Sequence, residues 1–484
     1  MLAQRIAKNS AALFVSRTLQ MAFTALFSIY AARMLGTTDF GKWAFALAYT
    51  TFFLVFADFG LSIVVNQRVA RCRESNPKEI GRLVGGSLFI KLVLVIPVFA
   101  IMVGLANLFG HDNDTRDTVY LLGISVLFNS FSVFLAGVFR GLEKMEYETV
   151  ATALERPLIL VVGAWLLVNG KGIVSLALLF LVARLFTLFF AVTIYAKRVR
   201  LVSFERDFYF LKELVVGALP FGIFVILGTI YFQIDTIMIL LLQDNEAVGL
   251  FESVIRLALV LMIIPEAFTE AIFPVFSRSF HLGQDQTYLY HKALKLIAIV
   301  GLPITVILLV LADRLILFLY GAEYLPAVPA LRLIALMVCV RFLAYVPGVL
   351  LSSIDRQTTR VIVVGTCAAI NVIANLIVIP RWGFVGAAFN TLLTHIILLC
   401  LYIAFVWQSG YSLKVRHLGT MLRILACVGL LFLLIATFRD LSLLMLIPAS
   451  IVLYCVFLLL LGVVKGDERT VVKGIFTFGA THSR

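Results

Sequence analysis

From about residue 10 to residue 464 the chain alternates long apolar runs with short polar connections. Fourteen runs of the right length lie at roughly 10–35, 42–65, 83–109, 118–139, 149–168, 173–196, 214–242, 249–276, 293–319, 328–352, 361–379, 384–407, 422–438 and 441–464. A helix needs about 20 apolar residues to cross a hydrocarbon layer about 30 Å thick. Two-residue alternation is absent, and backbone groups in lipid must be satisfied within their own segment, so each run is predicted to be a helix and not a barrel strand. The expected fold class is all-α, a polytopic membrane protein with about 14 transmembrane helices. The opening MLAQRIAKNS leads into a run too long for a signal-peptide core, with no small-x-small site before Arg33, so it is expected to be an uncleaved first span.

The runs repeat. A shift of 211 residues aligns Gly110 with Gly321, Gly137-Val138 with Gly348-Val349, and Gly172-Ile173-Val174 with Gly383-Phe384-Val385. A shift of 208 aligns Phe40-Gly41-Lys42-Trp43 with Val248-Gly249-Leu250-Phe251. With six spans per half, both halves start from the same side, a parallel repeat about an axis normal to the membrane. The expected organisation is an N-lobe over 1–200, a C-lobe over 201–410, spans 13–14 over 411–464 and a cytoplasmic tail over 465–484. The two six-helix lobes are pseudo-symmetric, and the last two helices are appended.

Composition agrees with a membrane address and excludes much else. Of 484 residues, 62% are hydrophobic and 14% charged, against about 45–50% and about 25% in soluble domains. The formal charge of +13 would suggest nucleic acid in a soluble protein, but here its distribution explains it. With the N-terminus cytoplasmic, inner segments together with Lys295 and Arg423 at the adjoining span ends hold 26 of the 40 Lys and Arg residues, and outer loops together with Lys42 hold 5. That bias predicts both termini in the cytoplasm and a cell-membrane location, with no nucleic-acid partner. The six cysteines have no CxxC spacing or histidine partners, so they read as buried small hydrophobes and not as a metal site.

Several short motifs then recur in a fixed order: Ala31-Ala32-Arg33-Met34-Leu35-Gly36 with Asp39-Phe40-Gly41, and Asp58-Phe59-Gly60-Leu61. Further along come Ile234-Asp235-Thr236-Ile237-Met238, Val248-Gly249, Phe273-Pro274, and Leu319-Tyr320-Gly321 with Tyr324. Asn371, Asn375, Ile379-Pro380, Gly383 and Gly386-Ala387-Ala388 complete the series. Across roughly 400 residues this pattern resembles the O-antigen or lipid-linked-oligosaccharide flippases of the multidrug/oligosaccharidyl-lipid/polysaccharide exporter superfamily. The resemblance implies a two-lobed fold with a central, often cationic cavity and a polyprenyl-pyrophosphate-linked glycan as cargo. The first outer turn, Thr37-Thr38-Asp39, is ordinary and settles no substrate.

Charges inside the spans are the candidate chemistry, because a centred Arg, Lys or Asp costs about 2.5–3.5 kcal/mol to insert and normally faces protein or water. The basic candidates for a substrate cavity are Arg17, Lys91, Arg184, Arg256 and Arg341, with Arg156 and Arg332 also embedded. The candidate coupling or structural acids are Asp58, Asp235, Glu266 and Glu270, beside Glu155 and Glu252. Depth along the spans matches Arg17 with Asp58 and Asp235 with Arg256, as structural pairs or as cavity groups. Arg341 lies mid-span with no acid at its level, and its planar fork suits phosphate oxygens. Glu266 and Glu270 share one helical face beside Pro265 and could hold a proton or Na⁺. His395 reads more readily as a core histidine than as a proton relay.

No GxxxxGK[ST] motif is present, which argues against ATP hydrolysis by this chain. Loops are too short for the water-facing domain that a glycan-assembling membrane enzyme usually needs. The expected function is a non-enzymatic flippase with no catalytic residue, metal or cofactor, driven by an H⁺ or Na⁺ gradient or by consumption of its product. Its expected partners are a lipid-linked oligosaccharide, membrane lipids, and polymerase and glycosyltransferases of the same pathway. The rivals are a multidrug and toxin extrusion cation antiporter and a flippase for a lipid-linked peptidoglycan precursor.

Overall fold

The computed structural model describes residues 2–72, 77–108, 110, 112–199, 207–411 and 418–463, without the side chains of 2–18, 77–78, 198 and 418. Among the described residues the chain is helical, with no strand. The first eight helices are α1 (Leu2–Asp58), α2 (Leu61–Cys72), α3 (Pro77–Leu108), α4 (Asn113–Gly141), α5 (Glu146–Val168), α6 (Ile173–Arg198), α7 (Phe208–Leu242) and α8 (Asn245–Leu261). They are followed by α9 (Ile263–His281), α10 (Thr287–Val310), α11 (Ala312–Leu319), α12 (Val328–Ser353), α13 (Gln357–Gln408), α14 (Leu418–Thr437) and α15 (Leu443–Leu460).

Twelve helical stretches are long and apolar enough to cross a bilayer. Two of these carry two spans each. Helices α1 and α13 have 57 and 52 residues, more than twice the length needed to cross about 30 Å at about 1.5 Å per residue. Each is broken at one glycine, Gly36 (φ 75°, ψ 178°) and Gly383 (φ 63°, ψ −152°), in backbone regions that glycine reaches without a Cβ penalty. The fourteen expected spans are therefore present, but single-residue breaks replace the short polar turns expected after residues 35 and 379. The second span is also interrupted, because α1 ends at Asp58 and α2 starts at Leu61, across Phe59 (φ 47°) and Gly60 (φ 77°).

By contact the chain forms two units. The first comprises Met1–Ile263, Leu319–Ala330 and Val361–Thr394. Its core gathers Leu61 and Val65 of α2, Leu83 of α3, Phe134 and Val138 of α4, and Leu214 of α7. Burial in lipid gains little from expelling water, so close packing and small residues hold such helices together. Gly41 and Gly249, paired by the repeat, show this directly. A Cβ at Gly41 would strike the Asn245 carbonyl, and one at Gly249 would strike the Thr37 carbonyl. Thr37 and Asn245 are themselves related by the same 208-residue shift. Such reciprocal contact is what a two-fold axis between repeats produces.

The second unit comprises Ile264–Phe318, Leu331–Arg360 and His395–Arg484. Its core joins Ile299 of α10 to Ile424, Cys427 and Leu431 of α14 and to Leu446 and Tyr454 of α15. The Tyr454 hydroxyl donates to the Ile299 carbonyl at 3.0 Å, so its polar end is satisfied inside the apolar layer. All six cysteines are free thiols.

Candidate functional site

Within the first unit, α1, α4, α5, α6, α7 and α8 surround a cavity holding about 260 Å³ of water-accessible space. Three guanidinium groups line it: Arg156 from α5, Arg184 from α6 and Arg256 from α8. Asn129, Gln233, Thr24 and Ser125 add neutral hydrogen-bonding groups. Phe27, Trp43 and Phe180 form a wall, with Phe180 5.8 Å from Phe27 and 5.1 Å from Trp43 between ring centroids.

The charges are layered. The arginine side chains are 24%, 16% and 26% exposed, whereas their carboxylate partners Glu155 and Glu252 are 0% and 5% exposed. Arg184 Nη1 lies 3.0 and 3.2 Å from the two Glu155 oxygens. Arg256 Nε donates to Glu252 Oε2 at 2.9 Å, and Glu252 also accepts from Thr236 Oγ1 at 2.5 Å. Arg156 is held least: its Nη1 reaches Thr24 Oγ1 at 3.4 Å and its Nε stands 3.9 Å from Glu155 Oε1. The Arg156 Nε is buried and makes no hydrogen bond. Three arginines over two carboxylates leave one net positive charge among the described groups at this cavity. Guanidiniums aimed at a wet space with carboxylates behind them suit a phosphate-bearing anion.

The structure distributes the expected site residues unevenly. Arg184 and Arg256 share the cavity, joined by Arg156. Lys91 is absent from the lining; it is fully buried and paired at 2.5 Å with Asp58, which also accepts from Ser62 Oγ at 2.5 Å. Asp58 thus has Lys91 as a cationic partner, and its expected match with Arg17 falls on a side chain outside the described residues. The match of Asp235 with Arg256 is replaced, since Arg256 has Glu252 one helical turn away. Asp235 instead accepts from Asn375 Nδ2 at 2.6 Å and Thr391 Oγ1 at 3.0 Å. Asn390 ties this knot to Asn375 Oδ1 at 2.7 Å.

Arg341 lies in the second unit and has neighbours the sequence did not reveal. Its Nη1 is 2.9 Å from His395 Nε2, and its guanidinium stands 5.7 Å from the Tyr345 ring. The Tyr345 hydroxyl donates to Glu266 Oε1 at 2.9 Å, while Glu270 is exposed and Glu266 partly so. Sequence reasoning noted Arg156 and Glu155 as embedded charges without joining them to the site. The adjacent Glu155-Arg156 and the i,i+4 pair Glu252–Arg256 were the available signals. Asn129 and Gln233 gave none, because neutral amides are common in spans.

Comparison with known proteins completes the picture. The family described as "Polysaccharide biosynthesis protein" matches residues 6–280, more than half of the chain. A protein of Escherichia coli (strain K12) named as an O-antigen transporter is 22% identical over 397 residues, covering 78% of this chain and 91% of its own. A protein of Haloferax volcanii named as a low-salt glycan biosynthesis flippase, Agl15, is 22% identical over 420 residues, 85% of each chain. The solved structure of the lipid II flippase MurJ in an inward closed conformation superimposes with a TM-score of 0.76 at 15% identity. That superposition covers 92% of this chain and 97% of MurJ, and at this identity it speaks for the fold. On the family match, supported by both relatives and by the fold, this multi-pass membrane chain belongs to the polysaccharide biosynthesis protein family.

Proposed function

We propose that this chain is a flippase that carries a polyprenyl-diphosphate-linked oligosaccharide from the cytoplasmic to the outer leaflet for surface polysaccharide assembly. The observation that carries this reading is the convergence of Arg156, Arg184 and Arg256 on one cavity with two carboxylates behind them. A diphosphate and a hydrophilic glycan face a hydrocarbon layer about 30 Å thick, where an unpaired ion is very costly. Guanidiniums replace the water around the phosphates, the neutral amides and hydroxyls meet sugar hydroxyls, and the prenyl chain stays in lipid. The cavity opens to the two faces in turn, and no bond is made or broken, so the chain is a transporter and not an enzyme. The 26-to-5 distribution of Lys and Arg supports cytoplasmic termini in a cell membrane.

An H⁺ or Na⁺ gradient is the natural energy source. The buried Asp235, held by Asn375 and Thr391 beside the unsatisfied Oδ1 of Asn390, is one candidate for that ion. Asp58, Glu266 and Glu270 are others. Arg341, with its His395 and Tyr345 neighbours, is a second cationic station for the head group. Polymerase and glycosyltransferases of the same pathway are the proposed partners.

The test is mass spectrometry of polyprenyl-linked lipids from cells lacking the gene, with and without its restoration. Accumulation of a complete, unpolymerised repeat unit, cleared on restoration, is expected. An unchanged lipid profile together with new sensitivity to cationic drugs would refute the reading in favour of a multidrug exporter.

A further inference from the structure

Glu155 stands behind the cavity without lining it. Its side chain has no exposure, and its Oε1 accepts no hydrogen bond although Arg184 lies 3.0 Å away. Its Oε2 accepts from Thr187 Oγ1 at 2.7 Å and from Arg184 Nη1 at 3.2 Å, and the Thr187 hydroxyl is 3.0 Å from the Ala183 carbonyl. A hydroxyl has one proton to donate and two lone pairs that accept. When Glu155 is ionised, Thr187 donates to the carboxylate. When Glu155 is protonated, Oε2–H can donate to Thr187, which turns its own proton to Ala183. The site thus satisfies both states without moving the backbone.

The charged groups touching Glu155 among the described residues are Arg184 of α6 and Arg156 of its own helix. Helix α1 brings the neutral Gln20 and Thr24 to α5, and α4 lines the adjoining cavity with Ser125 and Asn129. An anion that engages Arg184 and Arg156 takes up the positive charge that faces Glu155. A buried carboxylate left that way costs several kcal/mol, and a proton removes the charge. The balance points the same way. The cavity carries one net positive charge, a diphosphate diester carries two negative ones, and one proton on Glu155 restores neutrality.

We propose that Glu155 takes up one proton from solvent, at Oε2, when a diphosphate-bearing anion binds Arg184 and Arg156, so that cargo binding and proton uptake are linked at this residue. The inference rests on the proposed diphosphate-linked cargo. The test uses the purified full chain in nanodiscs and a farnesyl-diphosphate-linked monosaccharide as probe. Calorimetric titration in buffers of different ionisation enthalpy reads the protons taken up per ligand bound.

The wild type is expected to take up about one proton per ligand. Glu155→Gln should still bind, with uptake near zero, since the amide preserves shape and cannot titrate. Thr187→Val, which removes the acceptor for the acid proton and leaves the ion pair, should bind with uptake below about half a proton. Binding by the wild type without uptake, or uptake in either variant equal to that of the wild type, overturns the role of Glu155 and leaves the cargo assignment standing. Absence of probe binding by the wild type overturns both.

Discussion

Removing one member of the Lys91–Asp58 pair should be far worse than removing the other. Lys91 is fully buried, whereas Asp58 is 20% exposed and keeps the Ser62 hydroxyl as a second partner. Asp58→Ala strands an ammonium group inside the first unit, and breaking a buried pair in this way costs about 3–5 kcal/mol. The rings of Phe131 and Phe134, 5.9 and 5.6 Å from Nζ, return about 1 kcal/mol. The net loss of about 3 kcal/mol corresponds to more than about a hundred-fold in the folded-to-unfolded ratio. Lys91→Met removes the charge at similar volume and leaves a carboxylate that water and Ser62 still reach, at a cost of about 1 kcal/mol. The double variant should therefore recover about 2 kcal/mol relative to Asp58→Ala. Thermal melts of purified, detergent-solubilised protein, read by fluorescence size-exclusion chromatography, give the order directly. Equal stability of the two single variants, or a double variant no better than Asp58→Ala, would refute the stranded-charge argument.

Other expectations follow from the cavity and from the close helix contacts. Arg156→Ala should insert and accumulate normally yet cut export at least about ten-fold, the loss of one charge-assisted contact; restored cells with a normal polyprenyl-lipid profile would contradict this. Arg341→Ala should likewise accumulate and abolish transport, and wild-type export would remove Arg341 from the proposed path. Gly249→Leu should destabilise the protein by at least about 1–3 kcal/mol, because the new side chain meets the Thr37 backbone. Gly104→Leu, with nothing within 4 Å of its Cβ position, is the matched control and should melt like the wild type. Asp235→Ala strips a partner from Asn375 and Thr391 at about 1–3 kcal/mol; Asp235→Asn should keep the fold and lose ion dependence of transport, and unchanged ion dependence would exclude Asp235 as the coupling group.

Much of the architecture was legible in the residues because a bilayer imposes a simple ruler. Apolar length marks each crossing, and Lys and Arg asymmetry supports an orientation. The turns expected after residues 35 and 379 proved to be single-residue breaks at Gly36 and Gly383, which emerged only in the structure. Gly41 and Gly249 were visible as repeat partners, but their mutual contact emerged only in three dimensions, since a repeat states equivalence and not proximity. The charged residues show the same division. Hydropathy places a residue along the membrane normal, and by that measure Arg17 and Lys91 sit at the same depth as Asp58. It says nothing about direction around the helix axis, which depends on how α1, α2 and α3 pack. That packing brought Lys91 to Asp58 and left Asp235 to Asn375 and Thr391. It also brought Arg156, Arg184 and Arg256, from three helices separated in sequence, to one cavity. Composition and periodicity determine what crosses and at what level, because lipid tests every residue alone; which charges meet is a property of side chains converging from several helices, and only the tertiary structure decides it.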